Sequence, residues 1–375
     1  MGGKAFAHLG DPIRLPTARM RPLAVAIADA VGARMVRWSR LKADHGDIDL
    51  VIPQSIVDAL GDEELAARVG AAAGVEHVYR RPDVRDPILF VGLRLPEGLF
   101  QVDLISAPDH LADFAVRYLS WGDLGTMIGR MAREMGLAFG QNGLRVPLRV
   151  PDGGRENVLA TADFDEALEW LGWNPAGHDA GFEDEQGVAD YIGTCRYFDP
   201  KIYDPSRATS ETRRRGRARK GRDEFNAMIA SLPGRFEWPE TKGCSPLQEE
   251  FLAAAVARFG VADDIAAAQT RLEAAATRAP TAFTPTLIRE ITGTDDYDIA
   301  FLTSIVAEDF TGFKEFPNWK LSASEEDVRR RISAAWSIYD ARLVARRAED
   351  AARAERRRFQ EANRQAKLAR RAVEA

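Results

Sequence analysis

Three aspartates lie within two short apolar segments, each of which is typical of a β-strand. Asp47 and Asp49 belong to the segment at residues 44–52, and Asp103 belongs to the segment at residues 99–105. Because successive side chains of a strand point to opposite faces, Asp47 and Asp49 project side by side while the apolar residues between them point into a core. Parallel carboxylates repel each other, and a divalent cation such as Mg²⁺, which takes oxygen ligands, relieves that repulsion. The three acids predict a metal-dependent phosphoryl-transfer site.

Less specific explanations of these residues stay open. Asp47 and Asp49 could form a solvated turn followed by an edge strand. Asp103 has an apolar residue on each side, and a buried carboxylate without a partner either costs several kcal/mol or takes up a proton. His45 could tune the site, although a surface histidine is the simpler interpretation.

The length and composition of the chain limit its class. With 375 residues it is long enough for two or three domains. No apolar run approaches the length of a membrane span, and the start of the chain leads to no apolar signal segment. Cys195 and Cys244 are far apart and lack metal-ligand spacing, which is typical of free thiols in a reducing compartment. We therefore expect a cytoplasmic protein without a membrane partner.

The charge is distributed unevenly along the chain. The formal net charge of −6 would argue against nucleic acid if it were spread evenly, but acids concentrate in residues 152–190. Residues 207–222 carry eight basic side chains against one acid, a density that suits a phosphate backbone, although a linker without a ligand is the alternative. The candidate nucleic-acid-binding residues are Arg213, Arg214, Arg215, Arg217, Arg219 and Lys220.

The C-terminal segment is also basic. From Ser324 to Ala375 there is no Gly or Pro, and residues 341–375 carry eleven bases against five acids. With Asp327 three residues after Ser324 as a capping-box-like pair, this pattern predicts one long basic helix. A solvated face or an oligomerisation element is favoured over a nucleic-acid arm, and the oligomeric state stays open.

The pattern of apolar residues predicts an α+β fold, in which a small mixed sheet with helices is followed by a mostly α-helical C-terminal region. Strands are expected at 34–38, 47–52, 75–80, 87–95, 99–105 and 144–150, and helices at 21–35, 54–70, 108–119 and 123–135. The Pro96-Glu-Gly98 turn joins two of these strands as a hairpin. Asp123 is a candidate N-cap.

Strand signals fade after Pro151-Asp-Gly-Gly154, which is typical of a domain boundary. Helices are predicted at 162–171, 186–196, 247–259, 262–278 and 297–309, with a solvated acidic connector between the first two. We expect a first domain at 1–150, a helical connector at 151–235 that includes the basic segment, and a helical domain at 236–375.

The acids and the turn that follows them resemble the nucleotidyltransferase superfamily of DNA polymerase β. The matching residues are Gly46-Asp-Ile-Asp49 and then Phe100-Gln-Val-Asp-Leu104. Family X polymerases follow the third aspartate with a helix, a Tyr-Phe-Thr-Gly-type turn and another helix. Here Tyr118-Leu-Ser-Trp-Gly122 lies at a matching distance and precedes a helix that carries Arg130. The resemblance covers roughly residues 25–150 and implies a polymerase-β-like nucleotidyltransferase fold.

The resemblance implies a reaction and a set of roles. The enzyme would transfer a nucleoside monophosphate from an NTP or dNTP to a nucleic-acid 3′-hydroxyl, releasing pyrophosphate by a two-metal mechanism on Asp47, Asp49 and Asp103. The ions would be Mg²⁺, with Mn²⁺ as a substitute. The implied substrate-binding residues are Ser39, Arg40 and Lys42 for the phosphates, and Trp121, Gly122, Asp123 and Arg130 for the sugar and base. As alternatives, Trp121 could be a core aromatic residue, Asp123 only an N-cap, and Arg130 an ordinary exposed helix residue.

One feature departs from the family. The superfamily places a Gly-Ser pair before the acids to hold the triphosphate, whereas here Ser39 follows Trp38 at a shorter spacing, and Gly32-Ala33 lacks a hydroxyl. Two alternatives therefore stay open: a catalytically weakened nucleic-acid-binding protein of the same fold, or a nucleotidyltransferase acting on a protein or small molecule. Residues 283–293 read as a helix followed by Thr-Gly and are more weakly similar to RNA-binding parts of tRNA nucleotidyltransferases. This similarity makes tRNA a candidate substrate.

The basic segment gives a testable prediction. Replacing Arg213, Arg214, Arg215, Arg217 and Arg219 with alanine should weaken oligonucleotide binding and lower the slope of log affinity against log salt by up to about 0.9 for each phosphate that is no longer neutralised. NTP binding should stay intact. Filter binding at several salt concentrations measures both quantities, and an unchanged affinity would mean that the segment is a linker.

Overall fold

The computed structural model of the chain describes residues 5–10, 12–80, 87–149, 155–204, 222–239, 245–278, 285–293, 299–307, 319 and 323–345. The fold is α+β, as predicted, and it divides into two compact units. The first comprises residues 1–150 and 154–272, and the second comprises residues 151–153 and 273–375. Within the described ranges, every helix is too short or too polar to cross a membrane.

In the part of the chain that the structure describes, the strands belong to the first unit. They are β1 (Leu15–Pro16), β2 (Arg34–Met35), β3 (Asp44–His45), β4 (Asp47–Pro53), β5 (His77–Arg80), β6 (Ile88–Leu95), β7 (Gly98–Ala107), β8 (Ala138–Gly140), β9 (Gly143–Arg149) and β10 (Arg155–Thr161). Five of them form a mixed sheet in the order β2-β4-β7-β6-β5, in which β4 and β7 are parallel and their other neighbours are antiparallel. The predicted hairpin of β6 and β7 is confirmed.

Most helices lie close to their predicted positions, whereas α6 and α8 were not predicted. In the first unit they are α1 (Thr17–Val31), α2 (Gln54–Ala73), α3 (Ala112–Leu119), α4 (Leu124–Glu134), α5 (Phe164–Leu171), α6 (Pro175–Ala180), α7 (Glu185–Gly193), α8 (Arg222–Ala230), α9 (Pro246–Phe259) and α10 (Ala262–Arg278), whose last residues fall in the second unit. Short 3₁₀ helices lie at Asp109–Leu111 and Pro200–Tyr203. The second unit contains α11 (Pro285–Thr292), α12 (Ile299–Ala307) and α13 (residues 325–345).

One face of the mixed sheet is covered by α1 and α2. Ile48, Leu50 and Ile52 of β4 alternate with the acids and pack into a core with Val102 and Leu104 of β7. Each buried aliphatic side chain of this kind contributes about 1.5–3 kcal/mol. Since this face is apolar, the alternating acidic side chains necessarily lie on the other face.

The other face is partly covered by α3. Val51 and Ala107, near the carboxyl ends of β4 and β7, pack against Ala115 and Val116 of this helix. The acids lie upstream of these residues in the same two strands. Helix α3 therefore covers the sheet next to the acids. It leads to the helices from α4 to α10, which are called the helical layer below.

A second sheet, in the order β10-β9-β8, was not fully predicted. The expectation that strands end near residue 150 is wrong, because β10 pairs antiparallel with β9 and places Val158 opposite Val146. The polar residues Arg155, Glu156 and Asn157 at the start of β10 hide the strand, because the apolar run after them, at residues 158–160, is only three residues long. Its pairing with β9 nevertheless buries both valines.

The acidic segment at residues 172–185 is also different from the prediction. Instead of a solvated connector it contains α6, whose N-cap Asn174 accepts a hydrogen bond from the Ala176 amide. Trp173, His178 and Phe182 are buried in it. The acids lie on the solvent side, while the aromatic residues attach the segment to the core.

The main helical core crosses the predicted boundary at residue 150. A single buried cluster runs from Phe114 through Leu168 and Tyr203 to Ala268. It includes α9 and α10, which the sequence assigned to a separate helical domain. Cys195 is a free, buried thiol in the same core, as expected, and Cys244 lies outside the described residues.

The second unit has its own core. Leu287, Leu302, Val328 and Tyr339 are among its buried residues and join α11, α12 and α13. The predicted start of the last helix is confirmed, because the amide of Asp327 donates to Ser324 Oγ at 3.2 Å. Residues 205–221, with most of the basic segment, and residues 346–375 lie outside the described part of the chain.

The shared core predicts how truncated chains behave. Residues 1–150 alone would expose the buried side of α4, which packs on residues beyond 160. We expect this fragment to lack a cooperative thermal transition, whereas residues 1–278 keep one. Circular dichroism melting of both fragments checks this, and a cooperative transition in the short fragment would contradict it.

Candidate metal centre

The structure brings the three predicted acids together. In the parallel pair of strands, Asp49 lies directly opposite Asp103, and Asp47 lies two residues earlier on the same face. One carboxylate oxygen from each residue lies within 4.8 Å of the other two. Asp49 is exposed, Asp47 is half-buried, and Asp103 is only 8% exposed. The cluster thus reaches from the solvent edge of the sheet into its interior.

Gln101 supports this cluster and was not predicted as a site residue. Its amide nitrogen donates to Asp103 Oδ1 at 2.7 Å, and its Oε1 accepts a hydrogen bond from the Ala5 amide at 2.7 Å. The sequence signal was present, because Gln101 and Asp103 are two residues apart in one strand and therefore share a face. The neutral donor orients the buried carboxylate without cancelling its charge.

The donor set fits a hard divalent cation. Around an octahedral Mg²⁺ with oxygens at about 2.0–2.1 Å, neighbouring ligand oxygens lie about 3 Å apart and opposite ones about 4 Å apart. The separation of the three oxygens, at most 4.8 Å, is therefore within a small adjustment of that geometry. Three protein oxygens also leave positions for water and phosphate oxygens, as is usual for Mg²⁺.

The segment at residues 36–42 begins beside the acids, since the amide of Val36 donates to the carbonyl of Asp49 at 3.3 Å. Ser39 and Lys42 form a turn in which the Lys42 amide donates to the Ser39 carbonyl. The Arg40 guanidinium donates to the carboxylate of Glu183 and to the carbonyl of Ala180. A phosphate bound by Arg40 would have to replace or share these contacts.

The ring of Trp38 packs edge-on against the ring of His45, with 4.9 Å between the ring centroids. His45 is 3% exposed, so the surface interpretation is wrong. Its Nε2 lies 3.0 Å from Thr17 Oγ1. Burial, assisted by the nearby cations of Lys42 and Arg14, lowers the pKa of His45 to about 4. The imidazole is therefore neutral at pH 7 and acts as a packing partner of the indole.

The turn at residues 120–123 lies next to this segment. Ser120 Oγ accepts a hydrogen bond from the Arg37 amide at 3.0 Å, and the Trp121 amide donates to the Arg37 carbonyl at 2.8 Å. Both Trp121 and Gly122 are left-handed, with φ of 66° and 71°. At Gly122 an added Cβ would meet no atom within 4 Å, so the turn is open on that side.

The positions of Trp121 and Asp123 match the structural interpretations of these residues, a core aromatic residue and an N-cap residue, better than substrate binding. The Trp121 indole is buried and packs edge-on against Phe182 at 5.3 Å, which makes it a core aromatic residue instead of an exposed platform for a base. Asp123 lies at the N-cap position of α4, as predicted, but its side chain makes no capping hydrogen bond.

Arg130 also differs from its predicted role. It is buried on the core side of α4, and its Nη1 donates to the Tyr203 carbonyl at 3.3 Å and to Asn226 Oδ1 at 3.5 Å. The Arg130 side chain points from α4 into the helical layer, where it lies between the 3₁₀ helix at Pro200–Tyr203 and α8. Arg130 therefore joins these elements, and the nucleotide contact implied for it is not supported.

The six predicted nucleic-acid-binding residues from Arg213 to Lys220 lie outside the described residues. Comparison of the chain with protein-family models and with curated proteins gives no match.

His178 supports the Trp121 turn and gives a pH prediction. It is buried, its Nε2 lies 3.2 Å from the Arg117 carbonyl, and its ring packs against Phe164 at 4.8 Å. Burial lowers the pKa of His178 below its ordinary value near 6.5, and the Arg117 cation acts in the same direction, while a hydrogen bond with Asp179 opposes both. Below that ordinary value the unfolded chain binds a proton that the folded chain excludes.

The free energy of unfolding should therefore fall as the pH is lowered from 7.5 towards 5.5, by at most about 1.4 kcal/mol per pH unit from this group. His178→Gln should flatten this dependence, and His8→Gln, which changes an exposed histidine, should not. Urea unfolding across the range measures the slope. Equal slopes in wild type and His178→Gln would contradict the assignment.

Proposed function

We propose that the chain is a Mg²⁺-dependent nucleotidyltransferase with a polymerase-β-like fold. It transfers a nucleoside monophosphate from an NTP or dNTP to a nucleic-acid 3′-hydroxyl and releases pyrophosphate. One observation carries the proposal: Asp47, Asp49 and Asp103 extend from two neighbouring parallel strands with one oxygen of each within 4.8 Å of the others. The downstream helix, turn and helix, in the order that the resemblance implies, support it.

The three aspartates would hold the cation, which when bound supplies positive charge to the phosphate oxygens of an in-line displacement. The hydroxyl oxygen of the acceptor forms a bond to the α-phosphorus while the bond from that phosphorus to the bridging oxygen of pyrophosphate breaks. Asp103 lies deepest and accepts the hydroxyl proton. Gln101 keeps the carboxylate of Asp103 aimed at the cluster through its 2.7 Å hydrogen bond.

The acceptor is best matched to a polynucleotide. The basic density at residues 207–222 suits phosphate groups, and the chain as a whole is acidic, so the positive charge is local. The helix at Pro285–Thr292 followed by Gly293 is the segment similar to tRNA nucleotidyltransferases, which keeps tRNA among the candidate acceptors.

A second candidate is a nucleic-acid-binding protein of the same fold that no longer captures triphosphate. Two contacts favour it. Arg40 is already bonded to Glu183 and Ala180, and Trp38 is packed against His45 where the superfamily has glycine. Both contacts occupy groups that would otherwise be available to phosphates.

An extension assay tests the proposal. Protein with Mg²⁺, each labelled nucleotide and a panel of DNA, RNA and tRNA acceptors should give extended products with release of pyrophosphate. Asp103→Asn should reduce extension to background, because it removes an anionic ligand at nearly constant shape. Gln101→Leu should lower the rate about 10- to 100-fold, since it removes the donor that orients Asp103.

Asp29→Asn is the matched control, because Asp29 is an exposed carboxylate on α1, which packs on the opposite face of the sheet. Its activity should equal that of wild type. Nucleic-acid binding without turnover of any NTP would favour the second candidate. Labelling of a protein or a small molecule in place of the nucleic acids would mean that the acceptor belongs to that class. Absence of any Mg²⁺-dependent NTP binding or turnover would refute the proposed enzymatic activity.

A further inference from the structure

A separate pocket lies at the far end of the parallel strands. It has a volume of about 450 Å³ and is formed by the start of α2, the residues that follow β7, the turn between β8 and β9, and the side of β10. Asp47 and Asp49 lie in the amino-terminal half of β4 and Asp103 lies in the middle of β7, whereas Ser106 lies at the carboxyl end of β7 and Pro108 follows it. The pocket is therefore distinct from the candidate metal centre.

The pocket combines apolar side chains, such as Leu111 and Leu159, with several polar groups that carry no negative charge. Its hydrogen-bonding side chains include Gln54, His110, Gln141, Asn142, Arg145 and Asn157. No Asp or Glu is among the lining residues. The amides of Gln141, Asn142 and Asn157 offer both donors and acceptors, whereas the Gln54 amide nitrogen donates to Asp58 Oδ1 at 2.7 Å and leaves its oxygen as an acceptor. Arg145 supplies a fixed positive charge.

Arg145 is the group that most requires a ligand. Its Nε is buried and has no hydrogen-bond partner, and among the described residues its side chain forms no ion pair. Burial lowers the pKa of its guanidinium, but the ordinary value is so high that the group stays charged at neutral pH. Arg117, by contrast, is paired with Asp165 and Asp179.

A guanidinium that is partly buried without an anion is costly, and a ligand that brings one would relieve that cost. The fork of N–H groups matches two oxygens of a phosphate. The volume falls within the range of about 300–1,000 Å³ that is usual for small-molecule sites. The surrounding amides can hydrogen-bond to a sugar or to the edge of a base.

We propose that this pocket binds the phosphate of one nucleotide unit, with Arg145 as its anchor and the amides of Gln54, Gln141, Asn142 and Asn157 around the nucleoside. The nucleotide is either free or part of a strand. Binding requires neither a divalent cation nor the aspartate cluster, so it stands independently of the nucleotidyltransferase proposal.

The test is isothermal titration of the full chain with adenosine 5′-monophosphate in EDTA. Wild type should bind, adenosine should bind much more weakly, and Arg145→Gln should lower the affinity about 10- to 100-fold because it removes a hydrogen-bonded ion pair. Arg155→Gln is the matched control, because Arg155 is an exposed arginine on β10 outside the pocket lining. It should bind like wild type, and so should Asp103→Asn.

Thermal melting shows whether each variant is folded. If Arg145→Gln does not fold, Arg145→Lys and Asn157→Ala replace it and should each weaken binding severalfold. A 5′-phosphorylated tetranucleotide shows whether the natural ligand is a free nucleotide or part of a strand. If the tetranucleotide competes with the mononucleotide, the ligand is a strand; if it does not compete, the ligand is a free nucleotide. Absence of binding by both probes, equal binding of adenosine, unchanged binding in the folded Arg145 variants, or loss of binding in Asp103→Asn would overturn the proposal.

Discussion

The parallel pairing of β4 with β7 is the constraint on which the candidate site depends. It sets Asp49 opposite Asp103 and brings Asp47 to the same face, although Asp49 and Asp103 are 54 positions apart in sequence. A slip of one residue would turn the acids into the core and the aliphatic residues to the solvent. The buried residues of β4 and β7 under α1 and α2 forbid that slip, so the core fixes the geometry of the acids.

A second constraint positions the segment that follows β2. Both main-chain groups of Arg37 bond to the turn at Ser120 and Trp121, and the amides of Arg40 and Leu41 donate to the carbonyls of Phe182 and Glu183. The left-handed conformation of Trp121 costs about 1–2 kcal/mol. Packing of its indole against Phe182 offsets that cost. The turn at residues 120–123 and the segment at residues 181–183 therefore hold the segment at residues 36–42 in place through its main chain.

The sequence sufficed for features that depend on local alternation. Three such features were predicted: the strands in which acids alternate with aliphatic residues, the hairpin at Pro96-Glu-Gly98, and the convergence of the three aspartates. Each of them is decided by one strand and its neighbour. Features decided by distant contacts were not. Arg130 and Trp121 lie on helical or turn positions that look exposed, and only packing from residues beyond 160 buries them.

Gln101 and β10 were missed for a different reason. Gln101 belongs to the same alternation as Asp103, but an amide has no charge that draws attention to it, and its role depends on a hydrogen bond across two residues. The first residues of β10 are polar, so a strand there could be identified only from its partner β9.

The contacts that argue against triphosphate capture differ in strength. The Arg40 and Glu183 side chains are both largely exposed, and an exposed ion pair of this kind contributes about 1 kcal/mol or less, so a phosphate could displace Glu183 at little cost. Trp38 is different, because its ring packs against a buried histidine and the aliphatic core beneath it. Moving the half-buried indole would uncover part of that core, and the free-energy cost rises with the apolar area that is exposed. If the site takes a triphosphate, as we propose, the exposed ion pair of Arg40 is therefore the smaller obstacle and the packed indole of Trp38 is the larger one.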